Sequence, residues 1–155
     1  MPKITVIREL AVQYKQGSFG RVFVLKFEDK DDLISEIKRV ATTEKIKVGT
    51  IMLLGGMRSA GLVSGPKEAA IPPDPMWINF NDGREVLAFG TLFWKGDEPI
   101  LHLHGAIGRE KETITGCIRT ESSVYLVIEA VITEILGIDA RKTLNEKTGL
   151  VMLEL

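Results

Sequence analysis

Apolar and polar positions alternate with a period of two over most of the chain, and with a period near 3.6 in one short stretch. Arg21 to Phe27 places Phe23, Leu25 and Phe27 on one face, and its β-branched and aromatic content predicts a strand. The acidic run Glu28 to Asp32 suits the first turn of a helix, with Asp29 or Asp31 as its cap. Leu33, Ile34, Ile37, Val40 and Ala41 then recur at helical spacing and leave Glu36, Lys38 and Arg39 to solvent, so this helix has a stripe with which to cover a sheet. Upstream, residues 3 to 14 alternate loosely as far as the break at Gly17-Ser18-Phe19-Gly20 and predict a first strand or hairpin arm.

Lys47 to Leu54 reads as a buried strand that meets Gly55-Gly56, and Met57 to Val63 as a further strand. No Lys-Ser/Thr pair and no helix signal follow the two glycines, which argues against a phosphate loop and for a bend or bulge. Glycine and proline cluster from Ser64 to Asp82, predicting an ordered loop over the sheet with a brief alternation at Met76 to Phe80. Trp77 would anchor that loop or stack on a ligand. After the turn at Asn81-Asp82-Gly83, Arg84 to Trp94 is a long strand, and Lys95 to Pro99 turns it back into Leu101 to Ile107. Val124 to Ile132 is a long apolar strand interrupted by Glu129, and Leu150 to Leu153 supplies a last apolar run. Strands outnumber helices and most connections look like hairpin turns, which predicts an α+β domain on a mainly antiparallel sheet.

Composition narrows this picture. A chain of 155 residues that is 45% hydrophobic is large enough for one domain, residues 1–155, to bury a core unaided. A formal charge of −1 and a pI near 6.2 give no overall attraction to nucleic acid or to an anionic membrane, so any DNA contact falls to a local patch. One cysteine cannot form an internal disulfide, and no run of eighteen apolar residues occurs. The expectation is a cytoplasmic protein with no membrane partner.

The scarce ligand types are pooled. Both histidines and the single cysteine lie between Leu101 and Ile118. On an extended strand His102 and His104 share a face, and if Gly108 and Thr113 close the polar turn between them, His104 falls opposite Cys117. Two imidazoles and a thiolate are a familiar zinc shell with a fourth position open. The alternative is two half-buried histidines bonded to their neighbours, with Cys117 as a small core residue. A zinc ion here would be structural or would activate water, and then Glu129, Glu110 or Glu112 are candidate bases and Arg109 a candidate for holding an anionic substrate. The helical zinc motif His-Glu-x-x-His is missing. Glu129, a carboxylate within an apolar strand, either faces solvent, pairs with an arginine or accepts a hydrogen bond from a ligand imidazole.

His102-Leu103-His104, Thr115-Gly116-Cys117-Ile118 and Ile128-Glu129-Ala130-Val131-Ile132 resemble the PPC (plants and prokaryotes conserved) domain over nearly the whole chain. The family usually reads glycine-glycine-histidine-leucine at the second motif, so Cys117 stands where a histidine normally does and exchanges one zinc ligand for another. The resemblance implies a curved sheet flanked by helices, a homotrimer, and a DNA-binding or regulatory role. It also implies a partner contact at Gly83-Arg84-Glu85-Val86-Leu87, similar to the Gly-Arg-Phe-Glu-Ile-Leu of plant members but without the phenylalanine; Arg84 and Glu85 are its candidates. The Arg-Gly-Arg-Pro AT-hook through which plant members enter the minor groove is absent.

Overall fold

The structure, a computed structural model, describes residues 12–155. The predicted arm over residues 3 to 14 lies outside them except for its last three residues, which form no strand. In chain order the elements are β1 (Ser18–Glu28), α1 (Leu33–Thr43), β2 (Gly49–Pro66), β3 (Pro75–Phe80), β4 (Arg84–Lys95), β5 (Glu98–Arg109), β6 (Glu112–Leu136), β7 (Arg141–Asn145) and β8 (Leu150–Glu154). The mainly antiparallel sheet is as expected, whereas a single helix, among the described residues, flanks it.

The helix starts later than the acidic run suggests. Its cap is Asp32, whose Oδ1 accepts from the Ser35 N–H at 2.8 Å. Asp31 instead accepts from the Glu28 N–H at 2.8 Å and Asp29 from the Leu126 N–H at 3.0 Å, so both carboxylates are committed to the turn before it. Leu33, Ile37 and Ala41 are buried and face β5 and β6, with Ile34 and Val40 packed at the edge of the same core.

Pairing closes a ring: β2 with β4, β4 with β5, β5 with β6, and β6 back to β2. Two long strands make this possible because each bends and serves twice. The segments on either side of Gly55-Gly56, expected as separate strands, are one strand with a register shift at the glycine pair. Gly55 has φ +140°, and a Cβ there would come 2.3 Å from the Val127 carbonyl oxygen, so a side chain has no room at the bend. Across the ladder Leu126 takes φ +61°, a conformation uncommon for a bulky residue. The hairpin arm and the apolar run Val124 to Ile132 are likewise one strand, β6, whose far end also pairs with β1.

The glycine- and proline-rich stretch is less of a loop than its composition predicts. β2 runs on to Pro66, and Pro75–Phe80 forms β3 beside it, with Trp77 opposite Val63. Pro66 and Pro75 are paired at the strand ends, where a missing N–H interrupts little of the ladder. At the opposite side β7 and β8 form a small antiparallel hairpin that joins β4 through Trp94 and Arg141.

Alternation assigns the two faces. Ile51, Leu53, Leu103, Ile107, Ile128 and Ile132 point into the core and are almost fully buried. Their neighbours Met52, Leu54, Leu87, Phe89, His102 and His104 point the other way and are exposed.

Candidate metal centre

Cross-strand register builds the site. Gly108 pairs with Thr113 and His104 with Cys117, as the closed turn requires. Directly paired residues share a face, so one row crosses four strands in the order Phe89, His104, Cys117, Val63, with Trp77 next on β3. His102 stands one pleat along, opposite Thr91. The ligand atoms of His102, His104 and Cys117 all lie within 4.8 Å of one another. The two imidazole Nε2 atoms are 2.9 Å apart, with ring centroids at 4.8 Å and planes at 74°. Two such nitrogens at a zinc ion would be about 3.3 Å apart for bonds of ~2.0–2.1 Å. The pair stands a little closer than that, at hydrogen-bond distance, so an ion would replace the contact between the rings with a small separation of them, and the donors fit a borderline-soft ion such as zinc.

The electrostatics favour the ligand form at His102 and oppose it at Cys117. Loss of solvent around the His102 ring lowers its pKa, and His104, Lys142 and Arg119 push the same way, so the neutral, coordinating form is favoured. Cys117 is 6% exposed, and burial pushes its thiol up while Arg119 acts in the opposite direction. An ion bound here would have to displace that thiol proton.

The other candidates do not join this group. Glu129 is exposed, opposite Leu54 on β2 and Lys26 on β1. Glu110 lies in the turn, and Glu112 pairs with Arg109 at the far end of the hairpin. From the His104–Cys117 pair this is five residues, about 17 Å at the usual rise per strand residue. Arg109 donates to Asp82 at 2.9 Å, and Arg84 donates to the same carboxylate at 2.7 Å. Arg84 is thus tied to Asp82 rather than to its exposed neighbour Glu85, which sits opposite Gly108. The two guanidiniums hold the Asp82 carboxyl at about 2.

Three residues near the donors carry no motif. Arg119, two residues after Cys117, shares a cavity of about 560 Å³ with His104 and Cys117. Trp77, expected mainly as a loop anchor, lines the same cavity and is 52% exposed. Lys142 of β7 places its ammonium 5.9 Å from the Phe93 ring centroid, on the strand that carries Thr91. Alternation along β6 was the available signal for Arg119; nothing local marks Lys142.

A curled antiparallel domain with a His-x-His pair and a cysteine grouped on its outer face defines the class: a β-rich protein with a three-donor cluster suited to a transition metal. The chain belongs to the Plants and Prokaryotes Conserved (PCC) domain family, whose sequence profile matches residues 14–136. Among solved structures it is similar to a metal-containing protein from Archaeoglobus fulgidus, at 20% identity and TM-score 0.81, covering 93% of this chain and 100% of that one. It is similar to a plant- and prokaryote-conserved protein from Pyrococcus horikoshii, at 20% identity and TM-score 0.79, covering 93% and 98%. A candidate DNA-binding protein from Ralstonia eutropha follows at 15% identity and TM-score 0.69, covering 85% and 90%. At these identities the likeness shows the fold. No curated protein matches the chain. Among the described residues no helix is long and apolar enough to cross a membrane.

Proposed function

We propose that this is a zinc-containing PCC-domain protein in which His102 Nε2, His104 Nε2 and Cys117 Sγ hold the ion. The observation that carries the reading is the convergence of these three donors within 4.8 Å. The metal-containing description of the Archaeoglobus relative supports it. When bound, zinc would supply Lewis acidity at a fourth, open position. The chain's own contribution is orientation: β5 fixes both imidazoles on one face, and the β2 and β6 backbones seat the sulfur beside His104. Metal analysis of the purified protein, repeated on Cys117→Ala, is the test. Retained zinc in that variant would remove the cysteine from the set.

The protein acts, on this reading, as a trimeric binding or regulatory module. Cross-strand pairs Met52–Phe89 and Leu54–Leu87 expose four large apolar side chains beside the histidines, a surface of the kind that subunit contacts cover. Light scattering gives the mass directly, and a monomer would end the trimer reading. DNA contact has less behind it. Arg21, Arg39, Arg58, Arg84, Arg109 and Arg141 each pair with a carboxylate, and the net charge is −1. Gel shifts across salt concentration decide it, because phosphate contacts weaken steeply with salt.

A second reading, a zinc-dependent enzyme acting on a small molecule, is favoured by the cavity beside His104 and Cys117. Against it, among the described residues no glutamate or aspartate joins the donor cluster to serve as a base. Chelation separates the roles: a structural ion predicts a lowered melting temperature, a catalytic one predicts lost turnover in a protein that stays folded.

A further inference from the structure

The cavity beside the three donors is lined by two unlike sets of residues. One is apolar, made by Val63, Pro73, Pro75, Trp77 and Leu150; the other carries His104, Cys117 and Arg119. Its volume, about 560 Å³, lies in the range of small-molecule sites, roughly 300–1,000 Å³. Trp77 is left half uncovered by the described residues and offers a large aromatic surface at the cavity edge.

Charge points to the kind of molecule. Among the described residues no carboxylate belongs to the donor cluster. Six arginines elsewhere each have an acidic partner, whereas Arg119, which hydrogen-bonds to the Cys117 sulfur, and Lys142 form no ion pair with a carboxylate among the described residues. Lys142 is only 9% exposed as a residue, and solvent loss lowers its pKa. Its ammonium lies over Phe93, which shares a strand face with Thr91, the residue opposite His102. A divalent ion at the cluster would add further positive charge. With Cys117 bound as a thiolate that charge is only half offset, so the site holds a surplus of positive charge and offers an apolar seat next to the place where an anion would bind.

We propose that this cavity receives a small-molecule carboxylate with an aromatic or branched aliphatic body, its carboxylate directed to the metal's open position and Arg119 and its body packed against Trp77. The proposal rests on the zinc reading above. It specifies what that reading leaves open, the chemical class of the ligand. Arg119 fixes the head group by a charge-assisted hydrogen bond, and Lys142 supplies long-range attraction from the β7 side.

The test uses the full chain loaded with cobalt, a spectroscopic substitute for zinc, titrated with benzoate and in parallel with benzamide, which has the same outline without the charge. Metal content is measured separately on the same samples. The expected result is that benzoate shifts the visible cobalt bands and quenches tryptophan fluorescence, while benzamide does neither. Arg119→Gln should bind cobalt normally but weaken benzoate by about tenfold or more, the usual effect of losing a hydrogen bond to a charged group, with Arg119→Lys recovering part of it. Trp77→Ala should weaken benzoate and leave the cobalt content unchanged. If cobalt binds fully and benzoate leaves its spectrum unmoved at every concentration that keeps the protein folded, the proposal is overturned and the metal reading survives. The same holds if benzamide acts as well as benzoate, or if Arg119→Gln binds as the parent does. If no cobalt binds, the metal reading fails and the proposal fails with it.

Discussion

Two faces of the same strand behave as two different materials. On β5, Leu103 and Ile107 point inward and are at most 1% exposed, while His102 and His104, one residue away, point outward and are exposed. On β2 and β4 the same alternation separates Ile51, Leu53, Val86 and Ala88 inside from Met52, Leu54, Leu87 and Phe89 outside. The inner face, with the stripe of α1, supplies the burial that stabilises the fold. The outer face is apolar, is left uncovered by the described residues over much of its area, and holds both histidines, with the buried Cys117 in the same row. Core residues and candidate metal ligands are therefore divided by the pleat, residue by residue, and not by region of the chain.

That division can be broken in measurable steps. Leu103→Ala should cost about 2–5 kcal/mol in denaturant unfolding, because it opens a cavity on the closed side of the sheet. His104→Ala on the neighbouring position should change metal-free stability by no more than about 0.5 kcal/mol while removing metal binding. Equal costs for the two would erase the distinction. Gly55→Ala comes next: a side chain at φ +140° facing the Val127 carbonyl at 2.3 Å should cost on the order of 1–3 kcal/mol, read in the same unfolding experiment. A neutral result there would mean that the bend in β2 is not under the constraint described.

Leu87→Ser combined with Phe89→Ser should leave monomer stability nearly unchanged, within about 0.5 kcal/mol, yet lower the mass seen by light scattering. Unaltered mass would show that this face is not an interface between copies. The smallest effect is expected at Asp82. Its carboxyl is held at about 2 by Arg84 and then Arg109, below the ordinary aspartate value of about 3.9. Its contribution is present above the ordinary value and is lost as pH falls from there through about 2. Asp82→Asn should flatten acid unfolding within that window and change little at neutral pH. The carboxylate is partly exposed, so the change is slight.

Local pattern made the site's hairpin readable because its register depends on nearby residues: a polar turn closed by Gly108 and Thr113 places His104 against Cys117 without further assumption. The strand of Phe23, Leu25 and Phe27 and the apolar stripe of α1 were legible for the same reason. Continuity of β2 was not. A glycine pair within one strand looks the same as a glycine turn between two, and only pairing with β4 and β6 on both sides distinguishes them. β3 was masked by the prolines at its edge. Ring closure depends on contacts distant in sequence, such as Gly49 with Glu134 and Val63 with Cys117, which no local rhythm encodes. Lys142 reaches the histidine side only through the β7 edge, so its position follows from the closed sheet alone.

On the proposed reading, the three donors that the hairpin brings together form one transition-metal centre. Elemental analysis of the protein stripped of metal and reloaded with zinc tests it most directly. The account predicts one zinc per chain in the parent and none retained by Cys117→Ala or by His102→Ala with His104→Ala, all folded by circular dichroism. A folded parent that takes up no zinc, or variants that take up as much as the parent, would contradict it.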